Sequence, residues 1–511
     1  MAENAKRKGF FQRFLDFVER TGNRLPHPVT LFAILAVMVI IISAIVAGFD
    51  ISVEDPAEPG ETLEVLNLLS GEGINYIFTS MVDNFIGFAP LGVVLATMLG
   101  IGVCEQSGLI SACLRGFVLA IPNRLITAGL MFAAIMSSVA SDAGYVVLPP
   151  LGALIYSALN RHPLAGLATA FAGVSGGFSA NLLLSATDPM LAELTRNAAS
   201  TIDPQYAETM NIAMNYWFII VSTFLLTIVG TWVSEKIVEP RLGAWDGEFN
   251  GELEQISSTE KRGVTWAFVS VFIGVGLMSL LVVPEWGPMR GDGPQPIVES
   301  PFMESLVVVL LILFFIPGLV YGIVTKETRS DKDVVKQMSD TMSSMAMFIV
   351  LAFTAGQFIA YFDETNLGLI LGIYGGEFLN NLDIGGFPVL IGFLLLTAFI
   401  NLFVGSASAK WAMLAPVFVP IMMQVGFSPE ATQATYRVAD STTNIITPLM
   451  TYFAVIIAFA QQYDKKMGIG TLISVMLPFS IFFLIAWSLL LLVWVFFGWD
   501  LGPNSPIYYN P

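Results

Sequence analysis

The chain has 511 residues, 55% of them hydrophobic and only 12% charged, with a mean hydropathy of +0.73. A soluble protein would carry about twice that charged fraction, so a soluble globular domain is excluded. The net charge of -17 argues against a nucleic-acid partner, and apolar runs of spanning length make this an all-α polytopic membrane protein with lipid around it.

The first 28 residues hold six basic side chains and Phe10, Phe11, Phe14 and Phe17, a pattern that predicts a short amphipathic segment on the cytoplasmic surface. Spanning helices are then expected near 29–49, 84–104, 163–189, 215–234, 264–284, 303–325, 343–362, 431–460 and 468–498, nine in all. Of 23 Lys and Arg, 19 fall in segments that alternate with acidic ones; 50–72 has seven acids and no base, and 363–383 has no base. The positive-inside rule then places the N-terminus in the cytoplasm and the C-terminus outside.

Two apolar stretches, 125–157 and 386–425, are too long for one span and are broken midway by small polar residues. Arg124 and Arg161 flank the first, which enters and leaves on the cytoplasmic side; the second follows an acidic segment and enters from outside. Both read as re-entrant hairpins, opposed to each other. Ala140-Ser141 with Pro149 recurs as Ala407-Ser408 with Pro416, a faint echo of inverted repeats. The organisation is a first half, 29–234, a cytoplasmic linker, 235–263, and a second half, 264–511. Paired interrupted segments in two inverted halves point to the midplane site of a secondary transporter.

Within 431–460, Arg437, Asp440 and Asn444 share one helical face. A charge at a helix centre costs roughly 2.5–3.5 kcal/mol on insertion scales, so these residues face a polar cavity or each other. Asn401, Asp440 and Asn444 offer hard oxygen ligands to a small cation, against the plainer reading of polar glue in a helix seam. An Arg437 fork suits a carboxylate, or simply neutralises Asp440. Trp411 suits an aromatic ring, though it fills a core equally well. In the first half Ser141, Asp142 and Asn181 lie at or after the hairpin break; Asp188, just before Pro189, or Asp142 is a candidate proton carrier, and Asp188 is alternatively an interfacial cap. Gly173-Val-Ser175-Gly-Gly177 matches a hydrolase nucleophile pattern, but His162 lies 13 residues upstream, about 20 Å along a continuous helix, and no base is in reach. The competing functions are therefore a passive channel and, less favoured, an intramembrane serine hydrolase; two scattered histidines make no zinc site, and Cys104 and Cys113 no disulfide framework.

Three segments, 177–188 (GFSANLLLSATD), 405–411 (GSASAKW) and 436–448 (YRVADSTTNIITP), resemble the AbgT family of aminobenzoyl-glutamate transporters, as does the tail with Arg24-Leu-Pro-His-Pro28. The resemblance spans essentially the whole length. It implies a homodimer of nine-helix protomers with two hairpins in a bacterial inner membrane, and no enzyme activity. It implies p-aminobenzoyl-glutamate as cargo and, in some members, export of p-aminobenzoate-like sulfonamide antimetabolites. Carried onto this sequence, a sodium site falls on Asn401, Asp440 and Asn444, with H+ as a possible coupling ion. Residues tied to transport fall on Asp188, Ser408, Trp411, Pro429, Arg437, Asp440 and Pro448.

Overall fold

A computed structural model of the chain describes residues 26, 28–49, 51–54, 62–140, 143–185, 187–245, 256–291, 296–297, 300–381, 386–450 and 452–510. Nearly all of the expected amphipathic segment 1–28, together with Ser141 and Asp142, lies outside the described residues. Helix dominates, because a chain in hydrocarbon must satisfy its own backbone N–H and C=O groups.

Helix α1 (Pro28–Ala47) begins on a proline, whose fixed φ suits a first turn. It exposes Ile34, Val37, Met38, Ile41, Ile42 and Ile45, and buries Phe32, Ala36, Val39 and Ser43. This is inside-out relative to a soluble helix, as a lipid-facing surface requires. A small antiparallel pair, β1 (Ser52–Glu54) and β2 (Thr62–Glu64), follows. Helices α2 (Gly71–Ile86) and α3 (Ala89–Gln106) make one long apolar run, followed by α4 (Leu109–Leu119). Then come α5 (Ile126–Met136), α6 (Ala143–Ala158), α7 (Pro163–Phe171), α8 (Thr187–Ser200) and α9 (Tyr216–Val233). The second half contributes α10 (Ser258–Val282), α11 (Leu306–Thr325), α12 (Asp331–Ser344), α13 (Ala346–Glu364) and α14 (Leu367–Asn381). It ends with α15 (Phe387–Asn401), α16 (Ala407–Gln424), α17 (Pro429–Asn444), α18 (Phe453–Gln461) and α19 (Ile469–Phe497).

Phe32 of α1 meets Phe358 of α13, ring centroids 5.8 Å apart. Helices α3 and α11 cross at backbone contact: a Cβ at Gly100 would lie 2.3 Å from the Leu311 carbonyl oxygen, and one at Gly318 2.6 Å from Cys104 Cα. Only glycine fits there, the small-residue device of membrane helix pairs.

Both interrupted stretches fold back on themselves. In 125–157 the Tyr156 hydroxyl donates to Thr127 Oγ1 (2.9 Å) at the open end, and a Cβ on Gly144 would meet Ser137 at the closed end. In 386–425 Phe393 packs on Phe418 (4.8 Å between centroids), while Lys410 reaches Asn401 beside the break. In each stretch the paired numbers sum to an almost constant value, the signature of two antiparallel helices, α5 with α6 and α15 with α16.

Among the described residues seven helices are long and apolar enough to cross a membrane, or eight if α4 and the α5 segment, bent by 109°, count as one span. Seven of the nine expected spans coincide with such helices. The other two, 163–189 and 431–460, are broken. The first leaves α7 through a π turn at Ala172–Gly176 and resumes helix at Thr187; the second leaves α17 after Asn444 and resumes at Phe453. The continuous helix expected over 431–460 is thus corrected: Pro448 cannot donate a backbone hydrogen bond, and Thr447 turns its hydroxyl to the Leu402 carbonyl (3.0 Å). A further correction is α14, a helix within the acidic segment 363–383. Its glycines hide an interface, since a Cβ on Gly372 would come within 2.7 Å of Pro420 of α16.

Two buried clusters result. One joins α5, α6, α7, α9, α15 and α19; the other joins α1, α3, α8, α13, α14 and α16. Helix α17 lies between them, giving Val438 and Ala439 to the first and Tyr436 to the second.

Candidate functional site

Every residue of α17 is buried, though its sequence is mostly polar. Ser428 caps it, accepting from the Ala431 amide (3.0 Å), and Pro429 occupies the first turn. A buried helix of this composition holds together only if each polar group finds a partner, and the partners come from both halves of the chain.

Arg437 pairs with Asp188, Nη2 to Oδ1 at 2.6 Å, and its Nε donates to Gln433 Oε1 (3.1 Å). Asp188 Oδ2 accepts from the Ser185 amide (2.6 Å) and hydroxyl (2.9 Å). Both ion-pair partners are 3% exposed, so neither charge is screened by water. Asp188 is therefore neither an interfacial cap nor a lone acid: it is the counter-ion that joins the first half's broken helix to the second's. The alternative in which Arg437 neutralises Asp440 does not occur.

Asp440 instead pairs with Lys410, the ammonium lying against its Oδ1 and against Asn401 Oδ1. Asn401 Nδ2 lies within hydrogen-bond distance of the Asp440 carbonyl (2.6 Å), Thr443 Oγ1 (2.7 Å) and Asn444 Oδ1 (2.9 Å). Asn444 Nδ2 donates to Asp440 Oδ2 (3.3 Å). The three expected ligands do converge, but Lys410 stands among them. The oxygens that sodium would need already face an ammonium or an amide N–H, so the arrangement does not fit a bound sodium ion. With Arg437, Lys410 is one of two basic residues that the sequence places within the membrane, a signal in itself, but its partner is visible only in the fold.

Trp411 is fully buried: its indole N–H donates to Thr195 Oγ1 (3.0 Å) and its ring packs on Tyr436, 4.5 Å between centroids. It is a core residue in this conformation, with no open face toward a cargo ring. Tyr436 in turn donates to the Ala407 carbonyl (2.5 Å). Ser408 is half-buried at the hairpin tip, its hydroxyl 3.2 Å from that of Ser406. Pro448 is half-buried in the break after α17. Asn181 lies in the other break and donates to Ser138 (2.9 Å), while the Ser179 amide donates to Ser441 of α17 (3.1 Å).

The two halves thus repeat one relation. Ser138 at the first hairpin's tip holds Asn181 in the break that follows; Leu402 at the second tip holds Thr447 in its break. A Cβ on Gly405 would lie 2.4 Å from the Leu449 carbonyl oxygen, so this second junction closes at backbone distance. Ser175, the would-be nucleophile, donates to the Met450 thioether (3.3 Å), and His162 caps α7 by accepting from the Leu164 amide. A cavity of about 650 Å3 opens beside the first hairpin's tip (Met136, Ser137), Leu183, Leu184, Tyr216 and Trp217; its walls are otherwise largely apolar, and neither ion pair lines it.

The AbgT transporter family model matches residues 13–509. The chain belongs to the AbgT family. Over 488 residues it is 37% identical to the p-aminobenzoyl-glutamate transport protein of Escherichia coli K12, covering 96% of each. It is similar in structure to the YdaH transporter of Alcanivorax borkumensis (TM-score 0.88, 45% identity, 94% of this chain and all of that one). It is similar also to MtrF of Neisseria gonorrhoeae, described with a class of antimetabolite efflux pumps (TM-score 0.90, 46% identity, 97% of this chain and all of that one). As an AbgT family member the chain is a multi-pass membrane transport protein and not an enzyme.

Proposed function

We propose that this chain is an ion-coupled secondary transporter of p-aminobenzoyl-glutamate and related aromatic carboxylates in the bacterial inner membrane, with p-aminobenzoate-like compounds and sulfonamide antimetabolites as exported cargo. The observation that carries the reading is the Arg437–Asp188 pair, a guanidinium held by one carboxylate where two broken helices meet. A cargo carboxylate is chemically equivalent to the Asp188 side chain. When a proton adds to Asp188, the guanidinium is released, and its N–H groups are offered to the cargo instead. When cargo leaves, Asp188 gives up its proton and closes on Arg437 again, so this step moves cargo and proton in the same direction, and export is the cycle run in reverse. Neither charge is then ever buried alone, which a site at membrane depth demands.

The cargo class rests on the Escherichia coli relative, named for p-aminobenzoyl-glutamate, and the export reading on MtrF. Nine crossings are proposed, seven continuous and two broken, with hairpin 125–157 entering from the cytoplasm and 386–425 from outside. The N-terminus is then cytoplasmic and the C-terminus periplasmic. The repeated tip-to-break contact supports inverted halves. Pro429 and Pro448 bracket α17 and Ser408 marks the second tip, positions suited to the moving parts of such a machine. A homodimer follows from the family resemblance.

The test is transport of labelled p-aminobenzoyl-glutamate and a sulfonamide in proteoliposomes, with proton and sodium gradients imposed separately. Movement driven by the proton gradient and lost in Asp188→Asn is expected. Movement driven by sodium alone refutes the proton step at Asp188. Flux indifferent to both gradients makes the protein a passive channel.

A further inference from the structure

Lys410 lies in the first turn of α16 and is fully buried. Its ammonium contacts Asp440 Oδ1 from α17 and Asn401 Oδ1 from the end of α15. An ammonium has no acceptor, so it fixes which way the Asn401 amide points: oxygen toward Lys410, nitrogen toward Asp440, Thr443 and Asn444. The Tyr436 hydroxyl, 3.5 Å from Asp440 Oδ1, completes that side. A buried lysine with one carboxylate and one amide oxygen is a complete ion pair, and its positive charge sits among the oxygens that would otherwise gather a free metal cation. Asn401 turned the other way would offer those neighbours an oxygen; with Lys410 present it offers them N–H donors.

We propose that Lys410 is a tethered cation that takes the place of sodium: with its ammonium seated, the site formed by Asn401, Asp440 and Asn444 binds no free cation, and without it the same site does. The sequence pattern of a sodium site and the polar cluster actually formed are then two occupancies of one set of oxygens. The inference concerns the ion site and not the cargo, so its failure leaves the transport reading standing.

Thermal unfolding of the purified full chain in lipid nanodiscs, in sodium chloride and in choline chloride of equal ionic strength, tests it. The unsubstituted protein is expected to melt at the same temperature in both salts. Lys410→Ala is expected to melt lower in choline and to gain a saturable rise of several degrees as sodium replaces choline. Should that variant not fold, the unsubstituted chain decides. Saturable stabilisation by sodium that disappears in Asn444→Ala overturns the proposal, because the ion then binds with Lys410 present. Indifference to sodium upholds it, as does a sodium effect untouched by Asn444→Ala, which puts that ion elsewhere. A folded Lys410→Ala that ignores sodium also overturns it, since the vacated oxygens then make no cation site.

Discussion

Replacing Asp188 with Asn keeps the shape of the side chain and its contacts with Ser185 but leaves the Arg437 guanidinium without a counter-charge. The N···O distance of 2.6 Å corresponds to about 6 kcal/mol of attraction at an effective dielectric of 20. Desolvation offsets part of this, and breaking one partner of a buried pair costs ~3–5 kcal/mol in practice. Because both partners are 3% exposed, water cannot reach in to soften the loss. Arg437→Gln should cost a similar amount, leaving Asp188 as the lone charge. The double variant removes both charges, so it should be less destabilised than the two single losses added together, by ~1–3 kcal/mol. Reversible unfolding in mild detergent, measured for all four proteins, gives the coupling energy directly. Additivity within about 0.5 kcal/mol would refute the pair and, with it, the carboxylate-exchange step.

Arg437→Lys keeps the charge but loses the Nε bond to Gln433 and the planar fork, so the KM for p-aminobenzoyl-glutamate should rise at least tenfold, about 1.4 kcal/mol; an unchanged KM counts against carboxylate recognition. Gly405→Ala forces a methyl to within 2.4 Å of the Leu449 carbonyl oxygen and should cost ~1–3 kcal/mol of stability, with wild-type melting as the contrary result. Trp411→Phe removes the indole bond to Thr195 (3.0 Å) and should cost ~1–3 kcal/mol. If Trp411 stacked on cargo instead, the same change would alter KM while leaving the melting temperature alone. Burial lowers the pKa of His162 from its ordinary value, only partly offset by Glu239 and Asp464. The unfolded chain then binds the extra proton more readily, so this contribution to stability is present above about pH 6.5 and declines as pH falls toward the folded value. His162→Asn should flatten that slope, and an unaltered slope would exclude the histidine as its source.

The sequence made much of this visible. Continuous spans are long apolar runs, and a helix that must face lipid shows itself by composition alone. The shared face of Arg437, Asp440 and Asn444 was legible too, because helical spacing is local. What could not be read was which charge answers which. Asp188 and Arg437 are 249 positions apart, and Lys410 meets Asp440 only because one hairpin places its tip beside α17. The break in 431–460 was masked by continuous hydropathy; only Pro448 and Thr447 betray it, and Thr447 matters through a partner on another segment. Helix α14 was hidden because Gly372 reads as loop when it serves as a contact surface for Pro420. Trp411 was ambiguous for a similar reason, since its enclosure depends on Tyr436 and Thr195.

Helix α17 carries Arg437 and Asp440 in its second half, each answered by an opposite charge from a different element, Asp188 and Lys410, while Glu430 in its first turn accepts a hydrogen bond from the Tyr206 hydroxyl (3.0 Å). A displacement that keeps both couples intact moves no net charge of theirs across the membrane's electric field. At about 2.3 kcal/mol per charge per 100 mV, an uncompensated arginine would make every cycle answer to the resting potential. With the couples closed, voltage acts only on what is added to them, so the electrical signature of a turnover is that of the cargo and its companion ion.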